Sequence, residues 1–305
     1  MSEDTKKTVV LKNGADFSQL ELRQIVICLN PGDDSLDLID LLDVNFNKSC
    51  FIRVLADNVA FKHCSFRGAV FEEGFSASEA MFYDDCDFTD TVIHCRPKFD
   101  FGRGGTLCAD GVLNIGENDF GLISQKNIEQ TASFKQKDLS GTVLNVYNKK
   151  NGELDYENIK IDFSDCKLWN VNFKFPLKYC NFENADLRMT KLFKATAKQV
   201  CSTKNYKEGA VVNIAFCGCD LSNADFSNIN LTGCFFAHLD GLEKTLLKDA
   251  NFTNAVISQC YFRGSEGLTL SQIKSTWNYK SKRMSGVVLP DKLQKELDAE
   301  EGKIK

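Results

Sequence analysis

Residues Ile39–Glu73 read IDLLD VNFNK SCFIR VLADN VAFKH CSFRG AVFEE, seven pentapeptides without a gap. Their central residues are Leu41, Phe46, Phe51, Ala56, Phe61, Phe66 and Phe71. Phenylalanine supplies 24 of 305 residues yet holds five of these seven places, so the register is not accidental. An amphipathic helix repeats its apolar residues at steps of three and four, and a half-buried strand alternates; neither sustains a step of five. A wound chain does, if five residues form one side of a coil and the wall turns after each side. Every centre then points inward and stacks on an equivalent centre one coil away.

The frame extends in both directions. Upstream it includes Ala15-Asp16-Phe17, Leu20-Glu21-Leu22 and Ile25-Val26-Ile27, and downstream Ala80-Met81-Phe82, Cys86-Asp87-Phe88 and Thr91-Val92-Ile93. It returns at Ala132-Ser133-Phe134, Lys137-Asp138-Leu139 and Thr142-Val143-Leu144, then from Ile161 to Leu192, and in two regular blocks, Cys219–His238 and Thr245–Gly264. The residue two before each centre is small or apolar, which marks a second inward site with little room. Lys137 breaks that pattern. Because an unpaired buried ammonium is too costly, this residue predicts an open corner or a distorted coil.

The triplets Ala185-Asp186-Leu187, Ala224-Asp225-Phe226 and Ala250-Asn251-Phe252 resemble the A(D/N)LXX signature of pentapeptide-repeat proteins. The resemblance covers residues 15–265 with interruptions. It implies an all-β fold, a right-handed quadrilateral β-helix with four pentapeptides per coil; handedness and the number of sides come from the family. It also implies a choice of roles, since the family includes DNA mimics that protect topoisomerases, secreted bacterial effectors and members without an assigned role. Fold alone does not decide among them.

The expected organisation is an N-terminal lead-in over 1–14, repeats over 15–267 with insertions near 96–130, 145–160 and 195–211, and a C-terminal helical cap and charged tail over 268–305. Such a solenoid grows in one dimension, each coil touching only its neighbours. Binding residues gather on loops held by a rigid scaffold. Arg96, Lys98, Phe99, Phe101 and Arg103 stand in the first insertion, and Lys198, Lys204 and Lys207 make the third a candidate basic loop. In the second, Asn151-Gly152 reads as a hairpin tip, because this pair favours turns that match strand twist. Thr269 with Gln272 forms a capping box and Leu268 with Ile273 a hydrophobic staple. They predict one helix from Leu270 to about Lys280, with Leu270, Ile273 and Trp277 covering the last coil. Pro290 starts a second helix with Leu293 and Leu297 four apart.

Composition excludes several classes. At 43% hydrophobic and 26% charged residues the chain is not disordered. No run approaches the eighteen apolar residues of a membrane span, and Met1-Ser2-Glu3-Asp4-Thr5-Lys6-Lys7 lacks the apolar core of a secretory signal. The expected location is the cytoplasm, with specialised bacterial secretion left open. Of thirteen cysteines, Cys64, Cys86, Cys166, Cys180, Cys219, Cys234 and Cys260 occupy the small inward site, where a free thiol acts as a small hydrophobe. An odd total and no CxxC pair point to reduced thiols. Cys217-Gly218-Cys219, His63-Cys64 and His94-Cys95 have no second half at zinc spacing, so neither metal nor cofactor is expected.

Catalysis has as little support. His63 and His238 stand two residues after a centre, at corners, and His94 with Cys95 is the least unfavourable nucleophile pair. The acidic clusters Asp84, Asp85, Asp87, Asp90 and Asp33, Asp34, Asp37 lack the spacing of a calcium loop. Gly102-Arg103-Gly104-Gly105 lacks the lysine of a Walker loop. No catalytic residue is therefore assigned, and the leading reading is a non-enzymatic scaffold that binds another protein. The alternatives are a secreted effector acting in a host cell and a DNA-mimic modulator of a type II topoisomerase. A net charge of −5, from 42 acidic and 37 basic residues, is slight for the dense negative face that mimicry requires. Direct nucleic-acid binding is not expected either.

Overall fold

The computed structural model describes residues 7–10, 12–23, 25–28, 39–56, 58–72, 74–77, 80–93, 118–237, 243–300 and 302. They fall into two compact units. One holds the described residues up to 93 together with 118–161 and 166–175, the other 162–165 and those from 176 onward.

The first unit contains β1 (Lys7–Val10), β2 (Glu21–Arg23), β3 (Ile25–Cys28), β4 (Ile39–Leu42), β5 (Cys50–Ile52), β6 (Val59–Lys62), β7 (Val70–Phe71), β8 (Met81–Phe82) and β9 (Asn118–Ser124). Helices α1 (Gln125–Gln130) and α2 (Ala132–Lys135) follow, then β10 (Thr142–Lys150), β11 (Glu153–Asp155) and β12 (Asn172–Phe173). Strands β4, β6, β8, β9, β10 and β12 pair in that order, every pair parallel. Where the wall is regular, partners stand twenty residues apart: Ile39 opposite Val59, Cys50 opposite Val70. Twenty residues are four pentapeptides, so each turn lays every side on the like side of the turn before. Parallel strands joined by corners instead of crossover helices make a β-helix solenoid.

The corners explain the five-residue beat. Asp43, Lys48, Arg53, Asn58 and His63 all have φ between 53° and 58°, and Gly68 has φ 65°. Each stands two residues after a centre. The left-handed region is open to Gly and tolerated by Asn and Asp, and it turns the wall without consuming further residues. Between corners the centres point inward. The Phe51 and Phe71 rings stack at 4.4 Å and 7°, and the Phe61 and Phe82 rings at 4.6 Å and 2°. The small site is as dry: all seven cysteines assigned to it are buried. One contact is closer still. A Cβ on Gly121, at φ 57°, would meet Ala77 O at 2.1 Å and Ala80 O at 2.4 Å, so β9 lies against β8 only because this residue is glycine.

The second unit contains β13 (Lys191–Phe193), α3 (Ala197–Ser202), α4 (Lys204–Lys207), β14 (Ala215–Cys217), β15 (Phe235–Ala237), α5 (Leu270–Ser275), α6 (Trp277–Lys280) and α7 (Asp291–Glu300). The three strands pair in parallel, and single bridges such as Asp225 with Asn251 continue the ladder. Phe236 stacks on Phe216 at 5.0 Å and on Phe262 at 4.8 Å.

Two local expectations change, at 132–134 and 270–280, and the corner expected at Lys137 is found. Ala132-Ser133-Phe134 is helical, with Ser133 buried and Phe134 half-buried. Lys137 does not sit in an inward site; it turns a corner at φ 59°, its ammonium 5.6 Å from the Phe134 ring centre. The helix expected over 270–280 is broken into α5 and α6 at Thr276, whose φ −69° and ψ 156° are extended. The break turns Trp277 out, 39% exposed, and Asn278 in. Helix α7 matches its expected position and buries Leu293 and Leu297.

Candidate functional site

Among the described residues that the sequence singled out for catalysis or metal binding, the thiols of the small inward site are buried and the acidic cluster with His63 is paired. Burial pushes the Cys217 thiol up to about 11 and the Cys234 thiol up to about 12, which suppresses the nucleophilic thiolate. His63 is exposed and pairs with Asp85 at 3.3 Å. The other acids of that cluster are engaged too. Asp84 pairs with Lys149, Asp90 with Lys135 at 3.0 Å, and Asp87 accepts the Thr89 N–H at 2.8 Å. Among the described residues no three His, Cys, Asp or Glu side chains converge on a metal site. His94, Cys95, His238, the 33–37 acids and the 102–105 loop lie outside the described residues, as does the expected insertion up to residue 117.

A different feature stands away from the wall. Strand β10 continues past its last partner on β9, Tyr147 opposite Ser124, and folds back antiparallel as β11, with Lys149 opposite Leu154. Asn151 at φ 55° and Gly152 at φ 85° make the two-residue turn. The base is firmly held. Tyr147 is buried and donates its hydroxyl to Phe82 O at 3.1 Å, and Lys149 reaches Asp84. On the return strand Asp155 accepts Glu157 N–H at 3.0 Å and Asn158 N–H at 3.1 Å, and the Asn158 side-chain amide first among its contacts holds the carboxyl below its ordinary range. Gln125 of α1 closes the segment by bonding Lys160 O at 3.2 Å. On this anchored hairpin Leu154 is 38% and Tyr156 43% exposed.

A second feature was invisible to the five-residue frame. Thr196-x-x-Gln199-Val200 with Thr203-x-Asn205-Tyr206-Lys207 matches Thr269-x-x-Gln272-Ile273 with Thr276-x-Asn278-Tyr279-Lys280 position for position. A looser copy runs from Ser124 through Asn127-Ile128 to Thr131-x-Ser133-Phe134-Lys135. Each copy folds as a pair of short helices sharing one threonine. That threonine hydroxyl donates to the carbonyl three residues back, Val200 O at 2.7 Å in one copy, and accepts the N–H of the third residue of the next helix, Tyr206 N. The buried Val200, Ile273 and Ile128 replace the centre of a repeat.

The polar positions replace the ladder. Asn205 Oδ1 accepts Leu187 N–H at 2.6 Å, Asn278 Oδ1 accepts Ile257 N–H at 2.7 Å, and Ser133 Oγ accepts Ile93 N–H at 2.9 Å. The Gln199 amide donates to Leu177 O and Cys180 O at 2.6 and 2.7 Å, and the Gln272 amide to Leu247 O and Ala250 O at 3.0 and 2.7 Å. Lysines 198, 204 and 207 thus belong to a helical pair docked on the wall, not to a free basic loop. Lys207 is paired with Glu183.

Residues 212–240 match the family described as pentapeptide repeats (8 copies). No curated protein matches the chain. Among solved structures, HetL, a pentapeptide repeat protein involved in heterocyst differentiation regulation from the cyanobacterium Nostoc, aligns at 15% identity and a TM-score of 0.17, over 92% of this chain and 91% of its own. Full-length QnrB1, a plasmid-mediated fluoroquinolone resistance protein, aligns at 13% identity and a TM-score of 0.23, over 95% and 100%.

Proposed function

We propose, from the premise that the chain belongs to the pentapeptide-repeat proteins, that it is a non-enzymatic scaffold whose β-helix presents a protein-binding hairpin, residues 145–156. The single observation that carries this reading is the combination of a pinned hairpin with two exposed apolar side chains on and just after its return strand. Tyr147, Lys149 and Asp155 are all tied down, while Leu154 and Tyr156 face solvent. Pre-organised apolar and aromatic groups lower the ordering cost of association, and tyrosine is favoured at interfaces. A four-sided winding belongs to the same proposal, supported by the twenty-residue step; its right hand is what the family resemblance implies.

The reading is tested by capturing partners on tagged full-length protein and on a Leu154→Glu, Tyr156→Ala double variant. The expected result is a specific partner lost from the variant at unchanged thermal stability. Equal capture by both proteins removes the hairpin from the interface. A captured type II topoisomerase, with inhibition of supercoiling, would favour the mimicry alternative. Protein in culture medium without lysis would favour the effector.

A further inference from the structure

We propose that Cys64 and Cys86 form a redox clamp between successive coils of the first unit, a dithiol that a small peroxide converts to a disulfide. Both occupy the small inward site, and they do so on adjacent turns. The bridge between Ser65 and Asp87 and the bond from Asp87 N–H to Cys64 O at 3.0 Å place them directly in register. In-register neighbours on paired strands stand about 4.8 Å apart, inside the Cα range that a disulfide spans. The thiols are within hydrogen-bonding reach of one another. Each also touches a carbonyl of the turn below, Cys64 Sγ on Leu41 O at 3.3 Å and Cys86 Sγ on Phe61 O at 3.2 Å.

The two sulfurs are not equivalent. The bond from Cys86 holds the Cys64 thiol below its ordinary value against the opposing effect of burial, whereas the same contact and burial raise Cys86. Cys64 is thus the attacking sulfur. Its thiolate takes an oxygen from hydrogen peroxide, breaking the O–O bond and giving a sulfenic acid and, after protonation, water. Cys86 sulfur then displaces the sulfenic oxygen and yields its own proton to it, so a second water leaves as the S–S bond forms. Two electrons pass from the thiols to the peroxide. At 1% and 2% exposure the pair admits only a small uncharged oxidant, and the bond would close a loop of one full coil.

The test uses full-length protein, reduced, treated with hydrogen peroxide, denatured in alkylating reagent and digested without reduction. Alanine fills the same inward site at residues 185, 224 and 250, so Cys86→Ala should keep the fold. Expected are a peptide linking Cys64 to Cys86 in the wild type only, and a urea midpoint raised by peroxide in the wild type but not in the variant. Oxidation of the half-buried Cys201 with both clamp thiols intact would overturn the proposal, since it shows an adequate dose. So would Cys64 oxidised without the link, or a link that leaves the midpoint unmoved.

Discussion

Along Cys219–Ala237 the wall is closed by backbone: Phe226 N–H donates to Asn251 O and Leu231 N–H to Val256 O, both at 2.8 Å. Where Thr269–Lys282 replaces wall, the donor is still backbone but the acceptor is a side chain, as Ile257 N–H meets Asn278 Oδ1 at 2.7 Å. The first arrangement needs no side chain for these bonds. The second keeps the backbone bonds Asn254 N–H to Ser275 O and Trp277 N–H to Ala255 O, and takes the rest from the Asn278 and Gln272 side chains. Carbonyls inside a helix point along its axis, so only the last residue of each short helix offers a sideways acceptor, as Ser275 O does to Asn254 N–H at 2.9 Å; an inward Asn or Ser supplies the other. The difference shows that a β-helix can carry helical sides provided each returns the hydrogen bonds it removes.

The largest break in that comparison lies in the regular coil. Phe226→Asp puts a carboxylate beside Phe252, whose ring lies at 5.6 Å, and should cost at least ~3 kcal/mol, whereas Ser227→Ala should stay within about 1 kcal/mol. Equal urea midpoints for the two variants would refute the inward assignment. Next come the helical sides. Asn205→Ala and Asn278→Ala each strand a buried N–H, for an expected loss of about 1–3 kcal/mol by denaturant titration. A loss confined to tenths would mean that water substitutes for the amide. Gln272→Ala removes two half-buried bonds to Leu247 O and Ala250 O and should cost about 1 kcal/mol, read by the same titration.

The smallest effect is one of pH. Bonds from Ser227, side chain first and then backbone, hold the Asp225 carboxyl below its ordinary value. A depressed folded pKa adds stability that is complete above the unfolded value of about 3.9 and disappears as pH falls below it. Asp225→Asn should therefore narrow its deficit against wild type as pH falls from about 5 to about 3, on either side of the unfolded pKa. A constant gap would exclude the linkage.

Most of the wall was legible because a centre, a small inward site and a left-handed corner recur within five residues. The hairpin tip was legible from Asn151-Gly152 for the same local reason. What surrounds the tip was not, since the anchoring of Tyr147 on Phe82 O spans sixty-five positions. Ala132-Ser133-Phe134 fits the pentapeptide alphabet by coincidence; Thr131, capping α2, decides for helix. The capping box at Thr269 is visible in the sequence, yet its twin at Thr196 emerges only when the two stretches are aligned without regard to the beat.

The twenty-residue step also makes each coil a stored length of thread. Stretched out, it measures about 70 Å. Pulled between Asp40 and Val92, the first unit would lengthen by such increments as one turn after another leaves its neighbour, in place of a single collapse. A clamp between two turns would withhold one increment, so a force trace would count the coils directly and show which pair had been joined.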